Sequence, residues 1–435
     1  MSSGNRSINR GFALVISICL LVPHLFSYKE SSEPYCLGLA RVHSGDEPHY
    51  LVFINSLLLD GDLELANNYN SVHQGSEQAG YRFRGLGLDH HTMWYEGKQL
   101  WHWFQFYESW GKPYPVLKKG VQEPPAHPEL PWNVPGLALL LAPFLFPFRG
   151  TTYLEPAALL LSAAAAFGSF WCLRRILSKY LDDTWKVNMI AAFSVLGTPL
   201  WHYSRTLFPE GFLAFFLLAC LWLYFEERFF SAGIFLAVAI FVKPPIGLAG
   251  LPLLAEMLLR KRFQPLLLFS VPLAISTAAF FAVNAGVYGG PLNAPSDIYF
   301  QLPFRTLLWQ MVSFRGIVPF VPIIVLAFAG WPAFFRLHRR EAILLLACFC
   351  MWYFFIASLE SWEGGYSYGP RFMVPIIPLL LVGLAGFFHS PSKGKLFAFY
   401  WMGALSIVLN GLGSIPYWKY WSMYPPAELF DQAFK

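Results

Sequence analysis

The chain has 435 residues, of which 56% are hydrophobic, 18% are aromatic and only 13% are charged, whereas an average soluble domain has about 25% charged residues. This composition excludes a water-soluble fold of this size. The mean hydropathy of +0.44 does not come from a single anchor, because apolar runs of membrane-spanning length recur from residue 11 to residue 415. The net charge of +5 follows from where Lys and Arg lie between these runs and does not imply a nucleic-acid partner. We therefore predict an all-α polytopic membrane protein.

The amino terminus pairs Arg6 and Arg10 with the apolar run 11–26, a pattern that resembles a signal peptide. No small-x-small cleavage site follows in LVPHLFSYKE. We therefore expect residues 1–27 to form a cytoplasmic amino terminus and an uncleaved first span. All cysteines except Cys36 lie in apolar runs, which argues against a disulfide framework.

Residues 28–131 form the longest connection, which is polar and rich in aromatic residues. It is too long for an unstructured loop, so we expect a small folded subdomain on the outer face of the membrane. The aromatic stretch 93–110 favours an interfacial belt that seats this subdomain on the bilayer, although aromatic rings also stack on sugars. The nearby His90, His91 and His102 lack the i, i+4 spacing of a zinc pair, so we predict no metal site there.

The region 132–415 contains the remaining apolar segments, which predict a transmembrane bundle: 133–148, 155–173, 187–203, 209–225, 230–242, 246–259, 265–286, 316–335, 342–358, 372–388 and 396–415. Short cytoplasmic loops carry an excess of Lys and Arg, and such clusters lie at 174–186, 228, 260–262, 336–340 and 393–395. With the amino terminus inside, all of them become cytoplasmic only if the short, proline-containing segment 133–148 is re-entrant or interfacial. This topology predicts about eleven crossings and an outer-face tail at 416–435.

Carboxylates are scarce in this chain, and the stretch SGDEPHYLVFINSLLLDGDLELANNYN gathers several of them soon after the first span. Asp46 and Glu47 are adjacent at the expected mouth of a membrane cavity. Partial desolvation and a neighbouring acid there raise the pKa of a carboxyl group towards that of a useful general base. The alternative is a solvated loop or a helix cap. Candidates for a donor or acceptor pocket in the same stretch are His49, Tyr50, Asp60 and Asp62.

This context resembles the GT-C superfamily of integral membrane glycosyltransferases, in particular the branch of the protein O-mannosyltransferases and the lipid A aminoarabinose transferases, which is family 39-like. Their first outer loop opens with an Asp-Glu-x-x-Tyr motif, which Asp46, Glu47 and Tyr50 match. The resemblance implies a GT-C-like bundle with a large first outer loop. It also implies that Asp46 is the catalytic base that deprotonates an acceptor hydroxyl, with Glu47 supporting it.

Two further stretches are similar to elements of the same superfamily. HPELPWNVPG resembles a degenerate form of the His-Pro-Pro-Leu or Lys-Pro-Pro-Leu element that ends the first outer loop, with Glu129 in place of the second proline. It makes His127 a further pocket candidate. WEGGYSYGPRF resembles an outer loop of bacterial members that is rich in Gly and aromatic residues, and it contributes Tyr368 to the pocket and ends in Arg371.

Two isolated cations are candidates for binding a donor phosphate. Arg371, beside flexible Gly-Gly and Gly-Pro turns at the outer membrane boundary, is suited to hold a lipid phosphate bidentately; the alternative is a snorkelling arginine that anchors a helix end. Lys243 interrupts the apolar run FLAVAIFVKPPIGLAGL, where an ammonium group is costly and is usually functional or lines a cavity, although a structural turn is the alternative. Arg205 and Glu210 flank a short outer turn and can pair with each other.

Together these patterns and the resemblance to the GT-C superfamily predict a bacterial inner-membrane glycosyltransferase with its active site facing the periplasm. It transfers a sugar, with inversion, from a polyprenyl phosphate donor to a lipid, polysaccharide or protein acceptor. The donor needs an apolar groove among the membrane lipids that leads to a polar pocket with fixed cations. No cofactor is predicted. Asp46 and Asp62 are suitable ligands for a hard divalent cation, but the branches that the motif resembles are thought to need none.

A transporter or flippase of a lipid-linked saccharide is the first alternative function. Such a protein would have inverted repeats and functional residues at the membrane midplane, whereas this sequence has no evident repeat and its polar motifs fall on one side. A non-catalytic scaffold is the second alternative, and it would leave the Asp-Glu motif without a purpose.

Overall fold

The computed structural model describes residues 3–27, 36–37, 42, 46–68, 91–96, 99–104, 128–151, 153–293, 300–365, 367–389 and 392–414. This part of the chain is a helical bundle with two small antiparallel sheets. In chain order the helices are α1 (Ser3–Leu21), α2 (Glu47–Leu59), α3 (Gly136–Leu145), α4 (Leu154–Leu177), α5 (Thr184–Leu196), α6 (Leu200–Tyr203), α7 (Pro209–Phe225), α8 (Phe229–Val242), α9 (Leu251–Leu259), α10 (Phe263–Tyr288), α11 (Phe304–Val312), α12 (Ile317–Phe320), α13 (Ile324–Leu337), α14 (Arg339–Ala357), α15 (Ile377–Leu381), α16 (Leu384–Phe387) and α17 (Lys393–Ser414). The strands are β1 (Phe26–Ser27), β2 (Cys36–Leu37), β3 (His91–Glu96), β4 (Gln99–Phe104) and β5 (Leu130–Pro131).

Within these ranges, 5 helices are long and apolar enough to cross a membrane, or up to 6 if the pair formed by Thr306–Phe320 and Ile324–Leu337, bent by 101°, is one span. The 5 are α1 with its following turn, α4, α10, α14 and α17. Shorter apolar helices complete the bundle: α3, α7, α8, α9 and the α15–α16 pair. The prediction of an integral, multi-pass, all-α membrane protein is confirmed, and the number of crossings stays a prediction.

Proline and glycine divide several apolar runs that the sequence predicts as single segments. The run 187–203 forms α5 and α6, which Gly197 and Pro199 separate, because proline has no backbone N–H to continue the hydrogen-bond ladder. The run 372–388 forms α15 and α16, and Gly383 lies between them with its Cα facing the carbonyl oxygen of Ala327 in α13, only 2.6 Å from where a Cβ would be. Small residues thus let these helices approach closely, as is common in membrane bundles.

The segment 133–148 forms α3, a helix of 10 residues, followed by a 3-10 turn at Phe146–Phe148. Ten residues rise about 15 Å, which is half the thickness of a hydrocarbon core of about 30 Å. A Cβ on Gly136 would overlap the carbonyl oxygen of Phe241, so the start of α3 is pressed against the end of α8. Helix α3 alone is therefore shorter than a full span, and the re-entrant topology of this segment stays a prediction.

The described part of region 28–131 shares the hydrophobic core of the bundle. Val52, Phe53 and Ile54 of α2 are completely buried in that core. The strands of this region form a sheet in the order β4-β3-β5, with Met93 opposite both His102 and Leu130. His90, His127, much of the aromatic stretch and the tail 416–435 lie outside the described residues, so the boundaries 1–27, 28–131, 132–415 and 416–435 stay predictions.

The predicted cytoplasmic clusters gather at one end of the bundle, which we call the basic end. Ion pairs tie them together: Lys179 Nζ lies 2.9 Å from Glu226 Oε1, and Arg262 Nη2 lies 3.1 Å from Glu227 Oε1. Helix α7 ends beside Lys179 and α8 begins beside Arg262. The start of α7 and the end of α8 therefore lie at the opposite end of the bundle.

Candidate functional site

Four charged side chains from distant segments meet at the end of the bundle opposite the basic end. Arg371 Nη1 lies 3.0 Å from Asp46 Oδ2, and Arg371 Nε lies 3.3 Å from Glu210 Oε1. The same Glu210 oxygen accepts a hydrogen bond from Lys243 Nζ at 2.9 Å. We call Asp46, Glu210, Lys243 and Arg371 the charge cluster.

Helix termini position three members of the charge cluster. Asp46 immediately precedes α2, which has Pro48 in its first turn, and its side chain makes no capping hydrogen bond. Glu210 lies in the first turn of α7, and both carboxylates benefit from the partial positive charge of a helix amino terminus. Lys243 follows α8 in an extended conformation, because Pro244 disfavours helical geometry in the residue before it.

A glycine-rich loop positions Arg371, the fourth member. Gly364 and Gly369 have φ values of +81° and +59°, a region that side chains disfavour. A Cβ on Gly364 would lie 3.0 Å from Arg371 Cβ, so the loop folds tightly over this side chain. The guanidinium group lies 3.8 Å from the centre of the Phe208 ring, a cation–π contact.

Electrostatics keep Arg371 charged although its side chain is only 10% exposed. Burial alone would lower its pKa, but the carboxylates of Glu210 and Asp46 outweigh burial and hold the pKa above its ordinary value. Glu210 is completely buried, whereas the side chains of Lys243 and Asp46 are 24% and 31% exposed. Asp46 and Lys243 are therefore the members of the charge cluster that a ligand can reach most easily.

The rest of the Asp-Glu-x-x-Tyr motif is buried and has structural contacts. Glu47 is 1% exposed, and its Oε1 accepts a hydrogen bond of 2.6 Å from the backbone N–H of Leu207. This bond fastens the start of α2 to the turn before α7. His49 and Tyr50 are each 5% exposed, and the Tyr50 ring packs edge-on against Phe53. The structure thus brings Asp46, Arg371 and Lys243 together, and it buries Glu47, His49 and Tyr50 at the start of α2.

Asp60 and Asp62 do not join the charge cluster. They follow the far end of α2, and α2 has 13 residues, so they lie roughly 20 Å from Asp46 at 1.5 Å per residue. Asp60 Oδ2 accepts a hydrogen bond of 2.7 Å from Asn68 Nδ2, and Asp62 Oδ1 accepts one of 3.0 Å from Ser56 Oγ. A cation shared by Asp46 and Asp62 is excluded, because the apolar sequence between them forms a continuous helix. Among the described residues, no group of three or more His, Cys, Asp or Glu side chains is arranged to hold a metal ion.

The interpretation of Arg205 and Glu210 as a pair is wrong. Arg205 Nη1 donates to the backbone carbonyl of Ser414 at 2.8 Å, whereas Glu210 binds Arg371 and Lys243. Glu210 is the member of the charge cluster that the sequence analysis missed. Its signal is the apolar sequence GFLAFFLLAC directly after it, since a carboxylate at such a position requires a cationic partner.

Tyr368 supports the loop that carries Arg371. It is 1% exposed, its hydroxyl donates to the carbonyl of Leu409 at 3.1 Å, and its own carbonyl accepts from the Tyr203 hydroxyl at 3.0 Å. Its ring also stacks on His202 with the ring centres 4.5 Å apart. Tyr368 therefore lies in the packed interior, where it supports the loop that carries Arg371.

An apolar groove of about 400 Å³ runs between α8 and α10. It is lined by Leu140, Phe230, Ile234, Ala237, Val238, Phe241, Val271, Pro272, Ile275, Ser276 and Ala279. The hydroxyl of Ser276, a polar group in this lining, donates to the carbonyl of Ala237 at 2.6 Å. The lining residues that belong to α8 run from its first turn to its last turn, and Lys243 follows that last turn. The groove therefore extends along α8 towards the lysine of the charge cluster.

The fold of this chain, rather than its sequence, is similar to that of a known protein. No protein-family model and no curated protein matches the sequence. The fold is similar to that of ArnT from Cupriavidus metallidurans, whose crystal structure is bound to undecaprenyl phosphate, with a TM-score of 0.56 and 14% sequence identity. The match covers 93% of this chain and 64% of the ArnT chain, so the chain spans just under two thirds of ArnT's length. The chain shares the polytopic GT-C fold of ArnT, as the sequence predicts.

Proposed function

We propose that the protein is a membrane glycosyltransferase that transfers a sugar from a polyprenyl phosphate to an acceptor hydroxyl. The observation that carries the proposal is the charge cluster, in which Asp46, Arg371 and Lys243 meet from segments far apart in the sequence. Charged groups inside a membrane bundle are costly and usually functional. A base and two cations at one place are the groups that this transfer requires.

Asp46 is the general base in this proposal. Its carboxylate takes the proton of the acceptor hydroxyl, and the oxygen attacks the anomeric carbon of the donor sugar. The bond between that carbon and the phosphate oxygen breaks, its electron pair stays on the phosphate, and the configuration at the carbon inverts. Glu47 supports the base by fixing the start of α2 through Leu207.

Arg371 and Lys243 bind the donor phosphate. The phosphodiester carries one negative charge before transfer and the released phosphate carries two, so fixed cations stabilise the transition state more than the bound donor. Glu210 contacts both cations and holds them at a fixed separation without competing for the acceptor.

The contact between Arg371 and Asp46 suggests that the donor binds first. A carboxylate paired with a guanidinium is a weaker base. A phosphate that binds to Arg371 competes with Asp46 for the Nη1 donor at 3.0 Å, and the released carboxylate then faces the acceptor.

The groove between α8 and α10 supports an isoprenoid carrier. Its lining is almost wholly apolar, and it extends along the helix that leads to Lys243. The carrier that is bound in the similar ArnT structure, undecaprenyl phosphate, has this combination of a long apolar tail and an anionic head.

We further propose a bacterial inner-membrane location, a periplasmic active site and no metal requirement, with a lipid, polysaccharide or protein as acceptor.

The test is the transfer of radiolabelled sugar from a panel of polyprenyl phosphate sugars to membrane acceptors by the purified protein. We expect Asp46→Asn to lower kcat by about 10²–10⁴, the usual contribution of a general base, and we expect the wild-type rate to survive a chelator. Asp62→Asn is the matched control, because it removes a carboxylate at the other end of the same helix and should leave kcat unchanged.

Loss of transfer on chelation would contradict the metal-free proposal. No transfer from any donor, with Asp46→Asn behaving like the wild type in cells, would favour transport of a lipid-linked saccharide over catalysis.

A further inference from the structure

A second cleft lies beside the charge cluster and has a different chemistry from the apolar groove. It has a volume of about 490 Å³ and is formed by α11, the turn after it and the loop 358–365. Its lining consists of Gln301, Thr306, Trp309, Ser313, Phe314, Arg315, Trp362 and Glu363.

Hydrogen bonds fix the two walls of this cleft to each other. Gln301 donates from its backbone N–H to the Ser358 carbonyl at 2.7 Å and from its side chain to the Leu359 carbonyl at 2.8 Å. Arg315 Nη1 donates to Glu363 Oε2 at 2.7 Å, and both residues line the cleft. The two walls of the cleft are therefore held in a fixed arrangement by hydrogen bonds.

The cleft lies close to the charge cluster. Glu363 precedes Gly364, and a Cβ on Gly364 would lie 3.0 Å from Arg371 Cβ. Since adjacent Cα atoms are 3.8 Å apart, the Glu363 backbone lies within roughly 10 Å of Arg371 Cβ. That separation is about the length of one or two sugar rings.

The lining combines flat aromatic faces with planar polar groups. Trp309 and Phe314 are 50% and 76% exposed, and Trp362 also faces the cleft. Aromatic rings of this kind provide contact area for the C–H face of a sugar, while the amide of Gln301 and the Arg315–Glu363 pair offer donors and acceptors for hydroxyl groups.

Two polar groups of α11 and its following residue have no hydrogen-bond partner within the described chain. They are Ser313 Oγ, in the cleft lining, and the side-chain amide of Gln310, which is completely buried. An unpaired buried polar group costs about 1–3 kcal/mol. Because the Ser313 hydroxyl is itself buried, the groups that a ligand in the cleft can reach are the more exposed ones of the lining: Trp309, Phe314, Gln301 and the Arg315–Glu363 pair.

We propose that this cleft is a sugar-binding subsite that holds a pyranose or furanose ring of one of the two substrates during transfer. The inference rests on the proposed function for its biological meaning. The ring belongs either to the donor or to a glycosylated acceptor, and the recognition chemistry is the same in both cases.

The experiment separates binding from catalysis. Saturation-transfer difference NMR measures the binding of methyl hexosides and methyl pentosides to detergent-solubilised wild-type protein, to Asp46→Asn, and to Trp309→Ala and Trp362→Ala. We expect glycoside signals with the wild type and with Asp46→Asn, and their loss in both cleft variants. Trp401→Ala is the matched control, because this tryptophan is 64% exposed on α17 and does not line the cleft.

Kinetics identify the source of the ring. Trp362→Ala should raise one KM by roughly tenfold, equivalent to about 1.4 kcal/mol, with little change in kcat, and Trp362→Phe should recover most of the loss. A raised donor KM assigns the cleft to the donor sugar, and a raised acceptor KM assigns it to the acceptor.

The inference is overturned if no glycoside binds the wild type and the cleft variants keep both KM values. Because the NMR measurement needs no turnover, glycoside binding that is lost in the cleft variants would support the subsite even if no transfer were found.

Discussion

Replacing Glu210 tests the electrostatic logic of the site most directly. The carboxylate is completely buried, and its Oε1 lies 2.9 Å from Lys243 Nζ and 3.3 Å from Arg371 Nε. Removing one partner of a buried ion pair costs about 3–5 kcal/mol, because the remaining charge is uncompensated. Lys243 is partly exposed and Arg371 keeps Asp46, so we expect Glu210→Gln to lower the free energy of unfolding by about 2–3 kcal/mol.

The assay is unfolding in mixed micelles as the SDS fraction rises, applied to a double-mutant cycle. Lys243→Met removes the charge that Glu210→Gln leaves uncompensated, so the double variant should be more stable than the sum of the single effects by about 1–3 kcal/mol. The matched control is the Lys179–Glu226 pair, which has the same separation of 2.9 Å but a carboxylate side chain that is 42% exposed. Glu226→Gln should cost no more than about 1 kcal/mol.

Two results would refute this reasoning. One is a Glu210→Gln variant as stable as Glu226→Gln, and the other is a double variant whose effect equals the sum of the single effects within about 0.5 kcal/mol. Either would mean that Glu210 does not stabilise the two cations.

Three further predictions concern packing, helix capping and topology. Gly136→Ala should lower the free energy of unfolding by about 1–3 kcal/mol, because the new Cβ would overlap the Phe241 carbonyl. Gly286→Ala is the control and should be neutral, because a Cβ there has open space. Thermal unfolding of the two variants checks this. Burial alone would raise the pKa of Asp183, but hydrogen bonds from Lys186 and the α5 amino terminus lower it. The stabilisation by this cap is therefore present above the unfolded pKa of about 3.9 and is lost as the pH falls through the lower folded pKa. The difference in unfolding free energy between the wild type and Asp183→Ala should be about 0.5–2 kcal/mol at pH 7. It should vanish in strong acid. A reporter fused after residue 150 should lie on the outer face of the membrane, and a cytoplasmic signal would contradict the predicted count of eleven crossings.

The sequence was sufficient to predict the members of the site that stand out chemically. Lys243 and Arg371 are isolated cations at the edges of apolar runs, and Asp46 lies in a recognisable motif. Their meeting at one end of the bundle was predictable because alternating crossings place these segments on the same side. The apolar runs predicted a polytopic membrane bundle, and the resemblance of the Asp46–Glu47–Tyr50 motif to the GT-C superfamily predicted the fold that the comparison with ArnT supports.

Closeness in sequence does not show where two residues lie along a helix axis. Asp46 and Asp62 are close in sequence, but the apolar stretch between them forms a helix of 13 residues, which carries them to opposite ends. Arg205 and Glu210 are also close in sequence, but Arg205 donates to the Ser414 carbonyl and does not contact Glu210. The actual partners of Glu210 are Lys243 and Arg371, which are distant in sequence and become neighbours only when α7, α8 and the loop after α14 are assembled.

The long sequence separations within the charge cluster have a consequence for biosynthesis. The hydrogen bond between Asp46 and Arg371 joins residues separated by 325 positions, so at about 5–20 residues per second the ribosome makes Arg371 roughly 15–65 s after Asp46. Glu210 enters the membrane with no cation until Lys243 is made 33 residues later. The nascent chain must therefore keep these carboxylates hydrated, protonated or shielded by the insertion machinery, and the site becomes complete only when insertion of the bundle is nearly finished.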